Sequence, residues 1–93
     1  MTPIRRSKME RLKDLLSVLI ERAKQFGLPT SDIRNANDFI DNQEYGLCFD
    51  IIVTQMYEYD IEIDNDFYEL LIRIGDKLNI PPENYSFMKD LIK

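Results

Sequence analysis

The chain has no histidine, no tryptophan, one cysteine (Cys48), three glycines, and no lysine or arginine between Asn35 and Ile72. Each shortage excludes something. Without histidine, the commonest general base near neutral pH is missing. A single cysteine allows no internal disulfide, which suits a reducing compartment. Three scattered glycines build no glycine-rich phosphate loop. Long apolar runs are lacking too: behind the basic "RRSKMERLKD", the run "LLSVLI" stops at Glu21. That is too short for a secretory signal, and nothing nears the ~20 residues of a membrane span. The expectation is a soluble cytoplasmic protein.

What is present describes one domain. Ninety-three residues can bury a core but not also build an elaborate substrate cleft, and a hydrophobic content of 44% is ordinary for a globular chain. The net charge of −5 conceals an asymmetry. Residues 1–24 carry +4, residues 25–76 carry −10 and residues 77–93 carry +1. A field of that sign repels nucleic acid and anionic membrane and attracts basic partners.

Apolar periodicity gives an all-α reading, a small antiparallel bundle of four to five helices. Met9, Leu12, Leu16, Leu19, Ile20 and Ala23 predict a first helix from about Ser7 to Phe26, capped by Gly27 and stopped by Pro29. Thr30 or Ser31 can cap a short second helix that buries Ile33, Ala36, Phe39 and Ile40. A third helix spans roughly Glu44–Tyr59. Its apolar arc (Cys48, Phe49, Ile52, Val53, Met56, Tyr59) is wide enough to make it central. Leu47 and Ile51 intrude on its polar side, which is therefore either covered by another helix or apolar where a partner docks. A fourth helix runs from the N-cap Asp64 to Lys77, burying Phe67, Leu70, Leu71, Ile74 and Leu78. After the breaker "NIPPEN", Tyr85–Ile92 forms a last short helix. "YDIEID" alternates like a strand but finds no similar partner segment, so a loop with Ile61 and Ile63 tucked under it is expected.

The informative stretch is "YEYDIEIDNDFYEL", residues 57–70. It holds six carboxylates (Glu58, Asp60, Glu62, Asp64, Asp66, Glu69), with Asp50 just upstream and no base among them. A calcium loop would need glycine at its sixth position and a bidentate glutamate at its twelfth, where Asn65 and Leu71 stand. No metal is expected. Carboxylate-pair catalysis needs burial to split two pKa values, and this segment reads as solvated. Cys48 reads as a packed core thiol without a histidine to activate it. No catalytic residue and no enzyme is therefore expected. An acyl carrier protein shares the composition, but Ser7, Ser17, Ser31 and Ser86 sit in "RSK", "LSV", "TSD" and "YSF", none of which is that family's Asp-Ser-Leu. A helix-turn-helix reading needs a basic recognition helix. Only the first helix is basic, and its charges read as a solvated face that pairs with the acidic half.

What survives is a docking surface. Acidic surfaces usually serve only solubility, but here the acids are segregated from bases and interleaved with tyrosines at 45, 57, 59 and 68, a residue enriched at interface hot spots. Tyr59 reads as core, and Tyr57 and Tyr68 as outside. The expected partner-binding set is Asp50, Tyr57, Glu58, Asp60, Glu62, Asp64, Asp66, Tyr68 and Glu69.

"DNQEYGLCFDIIVTQMYEYDIEIDNDFYELL", residues 41–71, resembles the Maf-type immunity proteins of bacterial polymorphic and contact-dependent growth inhibition toxin systems. The resemblance rests on Glu44–Leu47 opening a central helix, the acidic run Tyr57–Ile61, and an apolar helix from Asp64. Cys48 stands at that family's small apolar position after the leucine, and residues 1–30 add nothing to the match. The resemblance implies a helical inhibitor, free of cofactor, that binds a cognate toxin C-terminal domain, commonly a basic RNase. Nucleic acid and membrane are not expected as partners. The other reading is an acidic helical adaptor or DNA-mimic regulator of another basic protein.

Overall fold

The structure, a computed structural model, describes residues 11–93. Four α-helices follow one another: α1 (Leu12–Phe26), α2 (Thr30–Asp41), α3 (Tyr45–Glu58) and α4 (Asn65–Lys77). Two 3-10 turns, Pro82–Asn84 and Ser86–Leu91, complete the chain, and the described residues contain no strand. The all-α architecture is as the periodicity predicts. The start expected at Ser7, and Met9 as core, lie outside the described residues.

The core joins Leu16, Leu19 and Ala23 of α1, Ala36 and Ile40 of α2, Cys48, Ile52 and Met56 of α3, and Phe67, Leu71 and Ile74 of α4. Met88 and Leu91 of the second 3-10 turn close it. Burying a side chain of this size is worth roughly 1.5–3 kcal/mol. The wide arc on α3 predicts that helix at the centre, but α1 is the one that packs against all three others. Helix α3 lies on α2, α1 and the last 3-10 turn.

Each of the four described α-helices ends in the same way. Gly27 (φ 112°), Gln43 (59°), Asp60 (55°) and Asn79 (58°) each adopt the left-handed conformation just past a helix. The next residue then donates its N–H back five positions, Leu28 to Ala23, Glu44 to Phe39, Ile61 to Met56 and Ile80 to Gly75, at 2.8–3.0 Å. These are Schellman closures, which satisfy carbonyls the helix leaves orphaned. Of these closures only the one at Gly27 was legible in the sequence, because the other three use residues with a Cβ.

Four expectations need correction. At α2, Pro29 holds the cap position and Thr30 is already helical, so neither Thr30 nor Ser31 caps. The Pro29 carbonyl instead accepts from the Asp32 and Ile33 amides at 3.0 and 3.1 Å. The last helix is 3-10, with bonds such as Met88 N–H to the Tyr85 carbonyl, as suits so short a segment. By contrast, the loop expected at "YDIEID" is there, with Ile63 buried beneath it and a single isolated bridge in which Ile63 pairs with Ile92 in parallel and donates its N–H to the Leu91 carbonyl at 3.0 Å. Tyr59 is half exposed, not core, because the helix ends at Glu58 and Ile61 folds back over the Met56 turn in its place. Tyr68, expected outside, is half-buried against the core.

A glycine fixes one more contact. A Cβ on Gly75 would stand 2.6 Å from Cε2 of Tyr85, so only glycine lets that ring lie flat on α4. The ring meets Phe49 edge-on at 5.8 Å.

Candidate protein-docking surface

Of the nine expected contact residues, eight reach the surface. Asp50 and Tyr57 lie on the outer side of α3, Glu58 ends that helix, Asp60 and Glu62 occupy the loop, and Asp66 and Glu69 project from α4. The loop alternation has a physical outcome: Ile63 points into the core, and the acids on either side of it point out.

Asp64 differs from its neighbours. Its Oδ1 accepts the Phe67 amide at 2.8 Å, making it the side-chain cap of α4. Its Oδ2 also meets Nη2 of Arg22 at 3.2 Å. The same guanidinium lies 5.9 Å from the Phe26 ring centre, and Phe26 meets Phe67 edge-on at 5.6 Å. Asp64 therefore fastens α4 to α1. This is one instance of the expected pairing between the basic helix and the acidic half.

The other acids are uncompensated. Among the described residues, Asp50, Glu58, Asp60, Glu62, Asp66 and Glu69 have neither an ion pair nor a side-chain hydrogen bond. The last turn of α3 holds no basic residue and ends in Glu58, with Asp60 just beyond it, against the negative end of the helix's own dipole. A charge there weakens a helix by a few tenths of a kcal/mol. Fold stability does not call for this arrangement.

The polar side of α3 is uncovered. Leu47 is 50% exposed and Ile51 half-buried, so no neighbouring helix hides them. Leu47, Asp50, Thr54 and Tyr57 succeed one another at three- and four-residue steps, a ridge about 15 Å long at 1.5 Å per residue. At its far end the exposed Tyr57 ring meets Phe87 at 4.7 Å. Beside its near end runs a groove of about 300 Å³, lined by Gly46, Leu47, Phe49, Asp50, Val53, Ile80 and Asn84.

One buried polar group was not anticipated. Asp32 in the first turn of α2 is buried, and its Oδ1 accepts from Nε2 of Gln55 at 3.1 Å. Gln55 also donates to the Tyr59 hydroxyl at 3.3 Å, and Asp32 Oδ2 has no hydrogen-bond partner among the described residues. Nothing in the helical spacing marks this chain of contacts, since it joins residues from two helices. Cys48 is fully buried, and desolvation pushes its thiol up to about 12, so it stays protonated and unreactive. Burial, then the neighbouring Tyr68 and Asp76, push the Tyr85 hydroxyl up as well. No group of three or more candidate ligands with metal-binding geometry occurs among the described residues, and no helix there is long and apolar enough to cross a membrane.

The chain matches no protein-family model, no curated protein and no solved structure.

Proposed function

We propose that this protein binds and neutralises a basic toxin domain, a ribonuclease, in the manner of the Maf-type immunity proteins that residues 41–71 resemble. The observation that carries the reading is the uncompensated acidic end of α3 and the loop after it. Among the described residues, six carboxylates stand there and on the adjoining faces without an ion pair, while their neighbour Asp64 is matched by Arg22. A nuclease cleft is basic because it holds polyphosphate, and an opposite field speeds its capture by an inhibitor. The exposed Tyr57–Phe87 pair supplies an aromatic anchor beside that field.

The test is co-expression with a basic ribonuclease toxin domain, taken from any toxin gene found next to this one, scored by survival and by association kinetics. Reversing Asp60, Glu62 and Asp66 to lysine should slow association by about tenfold or more at low salt and flatten its salt dependence. Asp64 is left alone because it holds the fold. Full protection at the wild-type association rate by the triple reversal would sink the reading. Binding to a basic protein that is not a toxin would favour an adaptor or DNA-mimic regulator instead.

A further inference from the structure

Gly46 has no structural reason to be glycine. It sits in the first turn of α3, it is not among the residues with positive φ, and a Cβ added there would meet nothing within 4 Å. Glycine inside a helix costs about 1 kcal/mol relative to alanine. That cost brings no turn and no close packing within the chain. What the missing side chain does leave is one wall of the groove between α3 and the segment after α4.

The groove's chemistry narrows its occupant. Leu47, Phe49, Val53 and Ile80 make it apolar, Asn84 adds an amide, and the only charge is Asp50. Asp50 is exposed and without an ion pair or hydrogen bond among the described residues. An apolar trough with one unmatched carboxylate suits a side chain with a long alkyl stem and a cationic head. A planar guanidinium adds bidentate pairing to the carboxylate and stacking on the trough walls, which a point-like ammonium lacks.

We infer that this groove is the cleft for an arginine side chain presented by a segment of the basic partner, whose backbone approaches α3 at Gly46. The inference rests on the reading of the chain as an inhibitor of a basic protein, and it names the point of anchoring. The ridge from Asp50 to Tyr57 then lies along the rest of the docked segment.

Amide chemical shifts followed during titration with N-acetylarginine amide test this directly, with the lysine and norleucine amides as controls. Saturable shifts are expected at Gly46, Leu47, Asp50 and Asn84, with a Kd in the range of roughly 1 mM or above. The lysine amide should bind more weakly, and the norleucine amide weaker by about tenfold, the worth of a charge-assisted pair. Asp50→Asn should weaken arginine binding by a similar factor. Gly46→Leu is the decisive variant, because it fills the groove while improving helix propensity. It should abolish the shifts and raise the melting temperature, so lost binding cannot be lost folding. Shifts spread over residues 58–69, or arginine binding unchanged by Gly46→Leu, overturn the cleft. Toxin protection at the wild-type dissociation rate by Gly46→Leu overturns it too, and leaves the inhibitor reading standing. Arginine binding that Gly46→Leu removes, in a chain that protects against no toxin, supports the cleft and discards the inhibitor reading.

Discussion

The α1–α4 seam and the outer side of α3 use the same kinds of side chain to opposite ends. In the seam, a carboxylate, a guanidinium and two phenyl rings close on one another: Asp64 on Arg22, Arg22 over Phe26, Phe26 against Phe67. On α3 and the loop after it, exposed carboxylates and rings stand side by side, and apart from Asp64 those carboxylates have no ion pair among the described residues. Charge in the first region is spent on holding two helices together. In the second it contributes nothing to the fold, and at the end of α3 it opposes the helix dipole. Two carboxylates four residues apart, Asp60 and Asp64, thus belong to different tasks, and only their surroundings tell them apart.

That contrast can be broken most forcefully at Phe67. The ring is fully buried in the seam, and Phe67→Ala should lower the unfolding free energy by about 4 kcal/mol in urea denaturation. A loss under 1 kcal/mol would mean that the seam is not what holds α4.

Alkaline pH separates the buried side of α3 from its open side. Cys48 is raised from the ordinary thiol range near 9 to about 12. Between those values the unfolded chain loses its proton and the folded chain keeps it. Stability is therefore intact below about pH 9 and falls as pH rises toward 12, by up to about 1.4 kcal/mol per pH unit from this group. Tyr85, also raised, adds a fall of the same sign at higher pH. Cys48→Ala should make the alkaline decline measurably shallower in denaturation curves. With no histidine, stability should stay nearly level between pH 6 and 8.

Asp64→Ala should cost about 1–2 kcal/mol, most of it the lost helix cap and the rest a partly exposed ion pair. The smallest effect is expected on the open face. Glu58→Gln, Asp60→Asn and Glu62→Gln together should leave thermal stability unchanged or raise it by up to about 0.5 kcal/mol. A clear loss of stability in that triple variant would assign those acids to the fold and erase the contrast.

The sequence showed the helices because each repeats its apolar residues at helical spacing, and it showed Asp64 as a cap because a carboxylate there precedes an apolar run. The acids at 58–69 were legible as exposed, since nothing apolar stands at their positions. Tyr59 was not. Its angular position on the helix is that of a core residue, but angular counting has no knowledge of where the helix stops. Arg22 lies 42 residues from Asp64, and no local pattern couples them. The ends of α2, α3 and α4 were legible to within a residue or two, but the left-handed closures beyond them were not, because Gln43, Asp60 and Asn79 take a backbone conformation that glycine ordinarily marks. The groove was invisible for a related reason: it depends on Gly46 facing Ile80 and Asn84 across a space that spacing rules do not describe.

One consequence concerns when the acidic loop loses its freedom. Left-handed Asp60 fixes its entrance, the Ile63–Leu91 hydrogen bond and buried Ile63 its middle, and the Asp64 cap its exit. Only six residues separate α3 from α4, and three of them are pinned in this way. The entropy of ordering the loop is therefore surrendered when the chain folds. The basic partner proposed above would then meet carboxylates already held in place and give up less freedom to engage them, so that more of the contact energy would appear as residence time.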